Sequence, residues 1–215
     1  MKAIIFDLDG TLTDTLTALA HFGNIALTAN GFEPIEKDKY KYLVGNGRNV
    51  LIHRMLAYFN ADTEENYEKV GAVYDEHYEA DPMYKTDAYD GIKDALRTLK
   101  ERGIKLAVCT NKPDNVAQDV IKLVFGEGTF DFVCGVYEGS LPKPDPSRAL
   151  LIAEKLGVTP DECIFTGDTY VDMETAKNAG MTPLGVLWGF RDRKELEEAG
   201  AKYIISSPDE YINYI

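Results

Sequence analysis

Asp7 and Asp9 sit one residue apart in "AIIFDLDGTLTD", residues 3 to 14, directly after four apolar residues. Further polar residues follow other apolar runs in the same way. Thr110 and Asn111 follow "KLAVC", Lys143 lies in "LPKPDP" soon after "FDFVCG", and Asp168 and Asp172 lie in "GDTYVD" after "CIF". Four carboxylates gathered with one lysine and one hydroxyl cannot all stay ionised unaided, so the group requires a cation. Oxygen-only ligands select a hard ion, and Mg²⁺ is the expected one.

That chemistry depends on a scaffold that brings the groups together. Ala3–Phe6, Leu106–Cys109, Phe132–Val136, Cys163–Phe165, Leu184–Trp188 and Tyr203–Ile205 are short, apolar and bounded by turn formers, and are predicted strands. Helical patterns fill most gaps after residue 90. Ile92, Ala95, Leu96 and Leu99 share one face before Gly103, and Val116, Val120 and Leu123 repeat similarly. Pro146 and Ser147 open a helix that runs through Leu156 to a stop at Gly157. Such alternation implies a Rossmann-like α/β core with a parallel sheet covered on both faces. Ligands of such sheets bind beyond the carboxyl ends of the strands, where every residue named above would lie. Residues 15–85 are different: they show helical periodicity and no convincing strand. They are expected to form an all-helical domain inserted into a core made of 1–14 and 86–215.

Composition excludes several partners. A net charge of −13 over 215 residues disfavours nucleic acid and anionic membranes. No apolar run reaches about 18 residues, the length needed to span a bilayer. The N-terminus enters a strand at once without a signal-peptide layout, so a cytoplasmic protein is expected. Cys109, Cys134 and Cys163 lie in strand-like contexts without C-x-x-C spacing and read as buried reduced thiols. His21, His53 and His77 are scattered and read as ordinary helix residues. D-x-D-G could open a calcium loop, but Gly10 stands at loop position 4, Ala18 at position 12, and a strand precedes it. No G-x-x-x-x-G-K-[ST] occurs, and "GNGRNV" places Val50 where G-x-G-x-x-G needs its last glycine.

The four pieces taken in order resemble the motifs of the haloacid dehalogenase superfamily, in its Mg²⁺-dependent phosphatase branch. They are D-x-D-G-T at Asp7–Thr11, the strand-end Thr110, Lys143 in K-P-x-P, and G-D-x-x-x-D at Gly167–Asp172. The resemblance spans the whole chain, and the helical insert looks like the cap that members carry after the first motif. "GVLWGFRDRKEL", 185 to 196, is similar to the phosphoglycolate phosphatase-like subgroup. Thr13 departs from the aliphatic residue that relatives often carry there.

The resemblance implies a role for each residue. Asp7 is the nucleophile that forms an aspartyl-phosphate. Asp9 is the general acid, then the base, and also lends its backbone carbonyl to the metal. Asp7 and Asp168 complete the metal's direct contacts, and Asp172 supports the metal at one remove or through a water. Gly10 turns the chain tightly beside the phosphate, Thr11 is a further phosphate or substrate contact, Thr110 and the Asn111 N–H hold phosphoryl oxygens, and Lys143 bridges nucleophile and phosphate. The Lys143–Pro144 bond is expected to be cis. In the cap, Arg48 of "VGNGR" is the candidate contact to an anionic leaving group, the alternative being a solvent-exposed residue at a helix start. The expected function is hydrolysis of a small phosphorylated metabolite, 2-phosphoglycolate favoured, by a monomer or homodimer. A β-phosphoglucomutase-like phosphomutase and a non-catalytic binding protein on the same fold are the alternatives.

Overall fold

The computed structural model describes residues 1–215 and divides the chain into two compact units, Met1–Asp14 with Ala88–Ile215, and Thr15–Asp87. The strands in chain order are β1 (Ala3–Phe6), β2 (Thr13–Asp14), β3 (Asp87–Ala88), β4 (Lys105–Pro113), β5 (Phe132–Val136), β6 (Cys163–Gly167), β7 (Thr182–Val186) and β8 (Tyr203–Ile205). The short strands β2 and β3 pair with each other, and the second unit ends at Asp87 where 85 was expected.

The other six strands form one parallel sheet in the order β5-β4-β1-β6-β7-β8. Strand β1 lies in its middle, with Ile5 opposite Ala107 of β4 and Phe165 of β6. All four β1 side chains are fully buried, as a continuous apolar run covered on both faces requires. Alternation divides the core between the faces. Ala3, Ile5, Ala107, Cys109, Cys163 and Phe165 pack with Ala149, Ile152, Ala153 and Leu156 of helix α7 (Ser147–Leu156). Phe6, of opposite parity, meets the edges of Phe130 and Tyr211 at centroid distances of 6.2 and 5.4 Å. All three cysteines are free and buried. The strand expected at Leu184–Trp188 is shifted: β7 runs Thr182–Val186, and Trp188 instead donates its indole N–H to the Thr11 carbonyl at 2.9 Å. Leu123 is also unlike its expectation, 66% exposed on helix α6 (Asp114–Phe125), because only Val116, Ala117, Val120, Ile121 and Val124 face the core.

The second unit is helical, with α1 (Leu16–Ala29), α2 (Tyr40–Leu43), α3 (Arg48–Tyr58) and α4 (Glu64–Ala80). Its core includes Phe22 and Ala26 of α1, Tyr40 of α2, Ile52 and Met55 of α3, and Val70 and Tyr74 of α4. Tyr40 donates its hydroxyl to Asn24 Oδ1 at 2.9 Å, and the Asn24 amide exchanges two bonds with the Ile35 backbone. The buried phenol and the loop beyond α1 are thereby satisfied together. No helix of the protein is long and apolar enough to cross a membrane.

Candidate active site

Strand order builds the site. Strands β4, β1 and β6 are neighbours, so the residues that leave their carboxyl ends meet. Asp7 follows β1, with its N–H donated to the Thr166 carbonyl at 2.9 Å. Asp168 follows β6, and Asp172 stands in the first turn of helix α8 (Tyr170–Asn178). Carboxylate oxygens of Asp7, Asp168 and Asp172 lie within 4.8 Å of one another, and all three residues are buried. Gly10 permits the closeness: its φ is +88°, and a Cβ there would stand 2.5 Å from Asp168 Oδ2.

Each carboxylate is held by the protein. Asp168 accepts the Thr11 hydroxyl at 3.2 Å and the Phe190 N–H at 2.7 Å. Thr11 is thus committed to Asp168. Asp172 Oδ2 accepts the Thr169 N–H at 3.1 Å and hydroxyl at 2.8 Å, closing a capping box at the start of α8. Lys143 donates to Asp172 Oδ1 at 2.7 Å and pairs with Asp7 Oδ1 at 2.8 Å, its side chain 1% exposed.

Lys143 comes from the loop after the sheet-edge strand β5, and its backbone is pinned. Asn111 donates Nδ2 to the Lys143 carbonyl at 3.2 Å and accepts the Lys143 N–H at 2.7 Å. Arg148, fully buried on α7, donates to Asn111 Oδ1 at 2.7 Å, to the Leu141 carbonyl at 3.0 Å and to the Thr110 carbonyl. The Lys143–Pro144 bond is cis. The Asn111 side chain therefore serves the lysine loop. Thr110 is buried, and its Oγ1 accepts the Lys112 N–H at 3.2 Å.

The sequence reading missed two cations. Arg148 is one, and Lys112 is the other, pairing with Asp9 Oδ2 at 2.9 Å with a side chain 4% exposed. A lysine or arginine among polar neighbours defaults to the surface, and only period-2 placement of Lys112 beside Thr110 hinted otherwise. The Asp9 carboxylate pairs with Lys112 and is not one of the three that meet.

Arg48 lies in the helical unit, where the fold occupies it internally. Its guanidinium forks onto Asp75 of α4 at 2.8 and 2.6 Å and donates to the Tyr67 hydroxyl at 2.9 Å. It is neither a solvated residue nor a free anion donor. The two ends of a fork that matches one carboxylate have little capacity left for a second.

Electrostatics mark the α/β cluster as incomplete without an ion. Burial, with Asp172 and Asp9 nearby, pushes the Asp7 carboxyl up to about 7 against the opposing pull of Lys143. Burial beside Asp172 and Asp7 likewise raises Asp168 well above the carboxylate range, despite its two hydrogen bonds. Burial pulls Lys143 down, but Asp172 and Asp7 outweigh it and hold the ammonium above its ordinary range. Three buried carboxylates against one ammonium leave two negative charges, the charge of one divalent cation, and the oxygen donors suit a hard one.

Comparison with known proteins agrees in kind. A family profile described as haloacid dehalogenase-like hydrolase matches residues 1–180. Phosphoglycolate phosphatase of Pseudomonas putida is 30% identical over 95% of the chain and 76% of its own length. That of Rhodospirillum rubrum is 32% identical over 93% and 85%. A crystal structure from Lactobacillus delbrueckii subsp. bulgaricus, described as a phosphoglycolate phosphatase, superimposes with a TM-score of 0.94 at 32% identity, covering 98% of each chain.

Proposed function

The chain belongs to the haloacid dehalogenase-like hydrolases and is a phosphoric monoester hydrolase, and on that premise we propose that it hydrolyses 2-phosphoglycolate through an aspartyl-phosphate, with Mg²⁺ as the divalent ion. The observation that carries the reading is the buried Asp7–Asp168–Asp172 cluster, balanced by Lys143 alone, at the carboxyl ends of the central strands.

In this reading Asp7, Asp168 and the Asp9 backbone carbonyl would hold the ion, with Asp172, engaged by Lys143 and Thr169, supporting it at one remove. Bound there, Mg²⁺ supplies charge neutralisation of the phosphoryl oxygens and of Asp7. Asp7 attacks phosphorus, forming a carboxylate–phosphorus bond as the bond from phosphorus to the ester oxygen breaks. Asp9 gives its proton to the departing oxygen and then takes one from the water that splits the acyl-phosphate, so inorganic phosphate leaves and Asp7 is restored. Lys143 keeps Asp7 oriented and offers positive charge to the phosphoryl group, while the Thr110 hydroxyl and the Asn111 N–H hold its oxygens. Asn111 and Arg148 act at one remove, by fixing the loop that carries Lys143.

The experiment is phosphate release from 2-phosphoglycolate and a panel of small phosphate esters, with Mg²⁺ and with chelator. The expected result is turnover with Mg²⁺, none in EDTA, and the highest kcat/KM for 2-phosphoglycolate. A requirement for a sugar bisphosphate primer would make it a phosphomutase instead. Failure to turn over any ester, aryl phosphates included, would favour a binding protein on this fold.

A further inference from the structure

Lys112 has no part in the scheme above, yet it is among the most thoroughly buried charges in the protein. Its place is set by an irregularity in β4. The register with β5 passes from Cys109↔Cys134 to Pro113↔Val136, so β4 spends two more residues than β5 over that interval. Thr110, Asn111 and Lys112 bulge from the sheet there, at its carboxyl edge. The bulge is seated closely against β5: a Cβ on Gly135 would stand 2.7 Å from the Lys112 carbonyl and 2.5 Å from Asp114 Cα. The Lys112 N–H is taken by Thr110 Oγ1, and Pro113 follows. A backbone held in this way aims its side chain with little freedom.

The side chain ends 2.9 Å from Asp9 Oδ2. The other carboxylate oxygen, Asp9 Oδ1, is buried and has no hydrogen-bond partner in the protein. Because a carboxylate is planar, anchoring one oxygen also limits where the other can lie. Burying an ion pair contributes little to stability, since desolvation offsets the attraction. A pair placed two residues from Asp7 has more to offer as orientation.

We propose that Lys112 is a positioning residue for Asp9, holding it through Oδ2 so that Oδ1 is presented to the ester oxygen. This rests on the assignment of Asp9 as proton donor to the leaving group. Lys112 touches Asp9 and acts through it, so its loss must resemble a milder loss of Asp9.

The test compares kcat/KM for an alkyl phosphate, whose leaving oxygen needs a proton, with that for 4-nitrophenyl phosphate, whose leaving group does not. For Asp9→Asn the alkyl ester should suffer more than the aryl ester by about two decades, the usual range of general-acid catalysis. For Lys112→Met the same preference should appear at about tenfold, and adding Lys112→Met to Asp9→Asn should produce no further change in the ratio. Lys112→Gln, one atom shorter but keeping a hydrogen-bond donor without the charge, carries the comparison should the methionine variant not fold. Equal losses on both esters, or no loss, would overturn the positioning role while Asp9→Asn still showed its preference. Absence of that preference in Asp9→Asn itself would overturn the acid assignment, and the role of Lys112 with it.

Discussion

The two units of this protein use positive charge differently. In the α/β unit Lys143 and Lys112 are almost wholly buried and face carboxylates at the ends of central strands. In the helical unit Arg48 meets Asp75 with both side chains partly exposed, 24% and 44%, and ties α3 to α4. A half-exposed pair is inexpensive and suits packing. A fully buried cluster with surplus negative charge is unfavourable by itself, and a fold that retains one gains something from the ion or substrate that completes it.

That contrast can be broken by substitution. Asp7→Asn should lower turnover at least a hundredfold, about 2.7 kcal/mol or more of lost transition-state stabilisation, because an amide cannot form the acyl-phosphate. The same variant should melt no lower than the wild type, since it removes one of three repelling carboxylates. Activity above about one per cent would remove Asp7 as nucleophile. Lys143→Met should also abolish turnover, and it should destabilise the metal-free protein by about 3–5 kcal/mol, as expected when one partner of a buried pair is deleted. An unchanged denaturation midpoint would mean that the cluster is more hydrated than its burial indicates.

The cluster also sets a pH dependence. Asp7 titrates near 7 in the folded, metal-free chain against an ordinary value of 3.8, so the native state holds its proton more tightly than the unfolded state. The associated stability is present at low pH and is lost as pH rises through about 7. An Mg²⁺ ion held at the cluster would replace the proton, so the upward shift of Tm that it gives should be larger at pH 8 than at pH 6. A shift independent of pH across this window would indicate that the ion binds elsewhere.

The smallest effect is expected in the helical unit. Arg48→Ala should reduce stability by about 1 kcal/mol, the upper range for a partly exposed ion pair. It should change kcat/KM for anionic and neutral esters to the same modest degree. A loss confined to anionic esters would restore Arg48 as a substrate contact and erase the distinction drawn between the units.

Much of this was legible before the fold. β1 and β5 run as the apolar stretches suggested, and α7 begins and ends at Ser147 and Leu156; Asp7 and Asp168 directly follow strands, while Thr110 lies within β4, which runs on to Pro113, and Lys143 in the loop after β5. Apolar periodicity and turn residues are local signals, so a linear chain displays them. Arg48 illustrates the opposite case. Its glycine-rich flank suggested a loop able to bind an anion, but its nearest acid is Asp75, 27 residues away on another helix. No local pattern announces such a partner.

The sequence by itself determined the α/β class, the helical insert and the residue types able to hold a phosphoryl group and a hard cation. Those depend on composition, short-range pattern and motif order. Only tertiary structure decided which carboxylates meet, because strand order places β4 and β6 on either side of β1. It also decided that Asp168 is held by Thr11 and Phe190, that Arg148 braces the lysine loop, and that Lys112 faces Asp9. A lysine's burial is not written in its neighbours. It follows from the bulge in β4 and from the carboxylate that β1 brings within reach.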